Sequence, residues 1–250
     1  MSEQVIDAPP PLESQWSVVG VCALQVIATL AGPIIVGFVM GFVGGAAHLL
    51  TANQNTAGDL AFFQLIAIVS LFTAAAMNLY FARDRLKGRL LQLLPDMAEG
   101  LRRPVSLLVL LCLPLGLLGT LHWAMTTPQA TKTFLHETSP FIWLGYAVAL
   151  AVVTPVAEEI FYRGYVWNRL SSLMPSWKAG TISAAIFLSA HIPNGLVAPL
   201  LVLPLTIIVT VMRLRRVGLG LCVAAHAIYN GTILLGNVVQ TYLGPFHIFH

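Results

Sequence analysis

From Val105 to Thr126 the chain runs without one Asp, Glu, Lys or Arg. At 1.5 Å per residue that is enough helix to cross the roughly 30 Å of hydrocarbon in a bilayer. Further long apolar blocks follow one another along the sequence instead of alternating with polar residues. Only 9% of the 250 residues are charged and 57% are hydrophobic, where a water-soluble domain carries about a quarter charged. Hydrocarbon offers no hydrogen bonds, so a spanning segment must satisfy its own backbone, which a helix does. The expected fold is therefore all-α, a polytopic transmembrane helix bundle whose solvent is the lipid bilayer. No nucleic-acid partner is expected.

Seven blocks are candidate spans: Ser17 to about Leu50, Leu60 to Ala82, Val105 to Thr126, Phe141 to about Arg169, Lys178 to Ile192, Gly195 to Met212, and Val217 to about Leu235. The stretch from Asn237 to His250 leaves room for a short eighth helix. Leu86 to Leu101 mixes Leu with Lys87, Arg89, Asp96 and Glu99, the pattern of an amphipathic segment lying in the interface. Residues 1–16 are polar and proline-rich, with no basic stretch leading into an apolar core, and read as a soluble tail rather than a signal peptide. Residues 17–250 read as a single multi-pass membrane domain. Gly37, Gly41 and Gly45 have the spacing of close helix packing. Cys22, Cys112 and Cys222 lie singly in apolar blocks and suit core packing rather than a disulfide framework.

Basic residues set the orientation. With the loop holding Arg83, Arg85, Lys87, Arg89, Arg102 and Arg103 in the cytoplasm, Arg163, Arg169, Lys178, Arg213, Arg215 and Arg216 also face that side. Lys132 alone of the thirteen falls opposite. The amino terminus is then cytoplasmic, and the expected location is the cell membrane of a bacterium.

Of the ten acidic residues, only Glu158 and Glu159 fall inside a span. A charge at bilayer depth costs about 2.5–3.5 kcal/mol on insertion scales and marks a cavity or a partner. Glu159 and Arg163 stand at i and i+4 with the acid first, the favourable order for an ion pair. Adjacent side chains diverge by about 100° on a helix, so Glu158 points elsewhere and needs a partner from another helix.

His191 and His226 are the histidines nearest the interior of spans, and Asn230 shares a helix face with His226. Counted inward from the flanking basic residues, Glu158, His191, His226 and Asn230 lie roughly 15–21 Å deep. Three helices thus bring polar groups to one level. Glu158 assisted by His191 suits activation of water, and His226 with Asn230 suits donation to an oxyanion. The same Glu158, His191 and His226 alternatively suit a divalent metal such as zinc with an open position. The residues alone leave both routes open.

The order of these residues resembles the CPBP family of intramembrane proteases, also called the Abi or CAAX-protease family. Its EExxxR motif reads Glu158 to Arg163, its FxxxH motif reads Phe187 to His191, and its HxxxN motif reads His226 to Asn230. The resemblance covers a protease-like core at about 142–235. It implies an intramembrane endopeptidase acting on a peptide or protein substrate, prenylated CAAX proteins among them. It also implies that Glu158 and His191 activate water, that His226 and Asn230 support the oxyanion, and that Glu159 and Arg163 brace the site. The alternative is a non-catalytic membrane scaffold or bacteriocin self-immunity protein. A zincin-like HExxH is absent, no Asp lies in a span, and Ser183 and Ser189 lack a rhomboid-like GxSx setting.

Overall fold

The computed structural model describes residues 56–83, 86–126, 140–192 and 195–243, with single positions at 20, 23, 27, 31 and 35. The polar tail, most of the first candidate span and its Gly37, Gly41 and Gly45 lie outside these residues. Seven helices and no strand occur among the described residues. They are α1 (Thr56–Phe81), α2 (Leu86–Leu101), α3 (Cys112–Thr126) entered through a 3-10 stretch (Pro104–Leu111), α4 (Pro140–Ser171), α5 (Ser176–Ser189), α6 (Ala198–Leu214) and α7 (Leu219–Leu243).

Among the described residues, three helices are long and apolar enough to cross a bilayer: Pro104–His122, Pro140–Ser171 and Leu219–Gln240. Leu107, Leu110, Leu113, Leu117 and Leu118 stand exposed around the first of these. A contiguous apolar face of that kind is stable against lipid rather than water. The last helix runs unbroken to Leu243, so residues 237–243 prolong α7 and do not start an eighth helix.

One candidate span is shorter than its apolar block. Helix α5 has 14 residues, about 21 Å, and ends at Ser189, two residues before His191. Pro193 follows in the sequence, and residues preceding a proline avoid the α region. His191 therefore occupies a turn at a helix end, not the interior of a span. A helix that stops inside the hydrocarbon exposes polar backbone, which is tolerated only where it faces protein or a cavity.

Helix α7 packs against α2, α3, α4 and α6, while α4 packs against α1, α5 and α7. Two apolar clusters result. Ile160, Phe161, Tyr162, Val166, Trp167 and Phe187 join α4 to α5. Leu205, Val209, Met212, Val217, Leu221 and Tyr229 join α6 to α7. The polar residues lie between them.

Helix α2 is clamped to the start of α7. Asp96 Oδ2 accepts the Leu219 N–H at 3.2 Å, satisfying one of the free donors of that helix end. Gly220 permits the approach, since a Cβ there would collide with the Leu93 carbonyl oxygen. The turn before α7 places Arg216 at φ 59°, and Val217 N–H returns to the Met212 carbonyl at 3.0 Å. This is a left-handed helix stop of the Schellman kind.

Candidate active site

Helix α4 is not uniformly α-helical. A π-helical turn (Ala149–Val153) and a longer π-helical stretch (Glu159–Val166) flank one α turn (Thr154–Glu158). Thr154 N–H reaches back five residues to the Ala149 carbonyl, and Trp167 N–H does the same to Tyr162. Widened turns of this kind disturb the carbonyl register. Donors from three other helices meet carbonyls here: Asn230 Nδ2 on Leu150 at 2.9 Å, Arg89 Nη1 on Ile160 at 3.3 Å, and Ser183 Oγ on Tyr162 at 2.7 Å. Helices α7, α2 and α5 are thereby bonded to the helix that carries both glutamates. None of these ties is legible in the sequence, where the one available signal is Arg89, a charge within a Leu-rich segment.

Glu158 ends the α turn and Glu159 opens the second π stretch, so their carboxylates diverge. The Glu159 side chain is fully buried and Glu158 is 17% exposed. Glu159 Oε1 accepts from Arg163 Nη1 at 3.2 Å and from His226 Nδ1 at 3.0 Å. The Glu159–Arg163 ion pair expected from spacing therefore forms, but Arg163 is not the only partner of Glu159. His226 is the second. Its Nε2 stands 3.7 Å from Glu158 Oε2, which supplies the partner that Glu158 lacked on its own helix.

The proton on His226 can be placed from its neighbours. Ionised Glu159 is acceptor-only, so the hydrogen of that contact sits on Nδ1. Nε2 is then the nitrogen facing Glu158. A carboxylate fixing one imidazole nitrogen holds the ring in a single orientation.

Phe187 organises the aromatic side of the site. Its buried ring lies 4.8 Å from His191 and 5.8 Å from His226, both edge-on, and 4.1 Å beneath the Arg163 guanidinium carbon. A desolvated cation over a ring is worth up to about 2 kcal/mol. Phe187, the first residue of the FxxxH motif, thus supports two imidazoles and a cation. His191 Nδ1 meets the Phe187 carbonyl at 2.9 Å. A carbonyl only accepts, so Nδ1 carries the hydrogen and Nε2 offers a lone pair.

Glu158 Oε2, Glu159 Oε2 and Arg163 Nη2 are buried with no protein hydrogen bond. Such atoms in a buried cluster call for an explanation, a bound reactant being one. Glu158 alone of the three side chains combines this with an opening to the outside.

The set does not assemble three metal ligands. Among the described residues no group of three or more His, Cys, Asp and Glu side chains stands close enough to hold a metal ion. Glu158, His191 and His226 as arranged do not fit the zinc alternative. Cys222, one turn before His226, is buried with its Sγ 3.8 Å from the Val209 carbonyl and takes no part.

Residues 140–232 match the family model described as type II CAAX prenyl endopeptidase, Rce1-like. Glu158, Glu159, Arg163, His191, His226 and Asn230 all fall within that range. No curated protein and no solved structure matches the chain.

Proposed function

We propose, on the match of residues 140–232 to an Rce1-like domain, that the chain is a CAAX-type protease of the membrane and that Glu158 is the general base of an intramembrane endopeptidase. The observation that carries the reading is the contrast between the two carboxylates: each has an oxygen without a hydrogen bond, but Glu159 is sealed between Arg163 and His226 while Glu158 is 17% exposed.

Water is oriented by Glu158 Oε2 and the His191 Nε2 lone pair. Its oxygen attacks the scissile carbonyl carbon as its proton passes to Glu158. The carbonyl oxygen becomes an oxyanion, to which His226 Nε2–H and Asn230 donate. Collapse breaks the C–N bond, and Glu158 returns the proton to the leaving amine. The products are a carboxylate and an amine.

In this role His226 donates from both ring nitrogens, Nδ1 toward Glu159 and Nε2 toward the oxyanion beside Glu158. Arg163 and Glu159 act through His226 by fixing its ring.

The reading extends to a cytoplasmic amino-terminal tail at residues 1–16 and a mid-membrane cavity opening to the cytoplasm, supported by the basic residues. Prenylated CAAX-type proteins are the substrate class carried by the family description, with unprenylated peptides as the comparison.

The test is hydrolysis of quenched fluorescent peptides, farnesylated and unmodified, by the purified protein in detergent, with scission sites mapped by mass spectrometry. Wild type is expected to cut at a defined bond, with or without chelator, and folded Glu158→Gln is not. Equal cleavage by both overturns the proposal. Absence of cleavage, with undiminished peptide binding in both, replaces it with a scaffold.

A further inference from the structure

We infer that Pro155 is a positioning residue for Asn230, acting through the backbone carbonyl of Leu150. This deepens the reading above and rests on it only where activity is concerned.

Thr154 N–H bonds five residues back to Ala149. The next bond in that register would run from residue 155 to the carbonyl of Leu150. Residue 155 is a proline and has no N–H to give. The π turn ends there, and α-helical hydrogen bonding resumes over Thr154–Glu158. A helix carbonyl deprived of its donor away from water must find another. The Leu150 oxygen finds the Asn230 amide at 2.9 Å.

The direction of that bond is forced. A carbonyl oxygen only accepts, so the Nδ2 side of Asn230 faces Leu150 and its Oδ1 faces away. One amide hydrogen is engaged and the second remains for another acceptor. Asn230 shares its helix face with His226, one turn earlier, and His226 is fixed in turn by Glu159. Both proposed oxyanion donors are thus aimed by α4, one by a side chain and one by a carbonyl that a proline leaves free. Helix α7 lies in ordinary contact with this turn, a Cβ on Gly231 falling 4.0 Å from the Ala151 Cβ.

A single substitution removes the device without touching Asn230. Pro155→Ala supplies an N–H that competes for the Leu150 oxygen and releases the amide. The experiment is a double-mutant cycle of Pro155→Ala and Asn230→Ala, read by kcat, by KM and by thermal unfolding in detergent. If the carbonyl links the two, Asn230→Ala is costly in the wild-type background. It is much less so in the Pro155→Ala background, where the backbone N–H already satisfies Leu150. The cycle is then non-additive by about tenfold in kcat, equivalent to roughly 1.4 kcal/mol, with KM little changed.

Additive effects in both kcat and melting temperature overturn the inference, because Asn230 would then act independently of Pro155. The unfolding cycle needs no substrate. Coupled melting temperatures in a protein that cleaves nothing would uphold the latch and sink the peptidase reading. Coupling in kcat confirms both.

Discussion

Arg163 gives the sharpest test of how the site is held. Its side chain is buried to within 1%, with one nitrogen on Glu159 and its guanidinium over Phe187. Arg163→Met keeps much of the volume and the contact with the ring but removes the charge. Glu159 is then left fully buried with only His226. Removing one member of a buried pair costs about 3–5 kcal/mol, because the remaining charge is uncompensated. For a domain of 150–250 residues each kcal/mol moves the melting temperature by about 2–4 °C, so the fall is roughly 6–20 °C. The companion is Glu159→Gln/Arg163→Met, which removes both formal charges. It should recover part of the loss, since no unpaired charge remains, and the cycle should be strongly non-additive. Thermal unfolding in one detergent at one pH reads all four proteins. A melting temperature for Arg163→Met within about 2 °C of wild type would refute the reasoning. So would a double variant as damaged as the two single variants together.

Phe187→Ala should lower stability by about 3–5 kcal/mol and kcat by at least tenfold, because both imidazoles lose their common support; unfolding and steady-state kinetics check the two effects separately. Gly180→Ala should cost about 1–3 kcal/mol by overpacking, since the new Cβ would stand 2.6 Å from the Trp167 ring; Gly88→Ala, with nothing within 4 Å, is the control in the same melt. Asp96→Ala removes the acceptor from the first turn of α7 and should cost about 0.5–2 kcal/mol, measured as a lower melting temperature.

The fold was legible because membrane helices announce themselves by length and by missing charge. Leu86–Leu101 emerges with the same bounds in sequence and structure, since its charges appear every few residues among leucines. Glu159 and Arg163 were legible as a pair because i and i+4 neighbours meet on a helix, and they still meet on the widened turn. What stayed hidden depends on which helix touches which. Nothing local to His226 says that its Nδ1 goes to Glu159, sixty-seven residues earlier. The π turns were equally hidden, because one extra residue per turn leaves no mark on an apolar stretch such as Ala149–Val153. Pro155 was the visible trace, and its meaning needed the Leu150 carbonyl and Asn230 beside it. The candidate span stopped at Ile192, just before Pro193, and apolar composition carried it beyond the end of α5 at Ser189.

The most direct measurement compares Glu158→Gln with Glu159→Gln in one preparation, recording kcat on the best cleaved peptide and the melting temperature of each. Loss of a general base lowers rate by about 10²–10⁴. Glu158→Gln should show that fall with a melting temperature near wild type, and Glu159→Gln a clear drop in melting temperature. Glu158→Gln retaining more than about a tenth of the wild-type kcat, beyond what any general base permits, would contradict that role for Glu158.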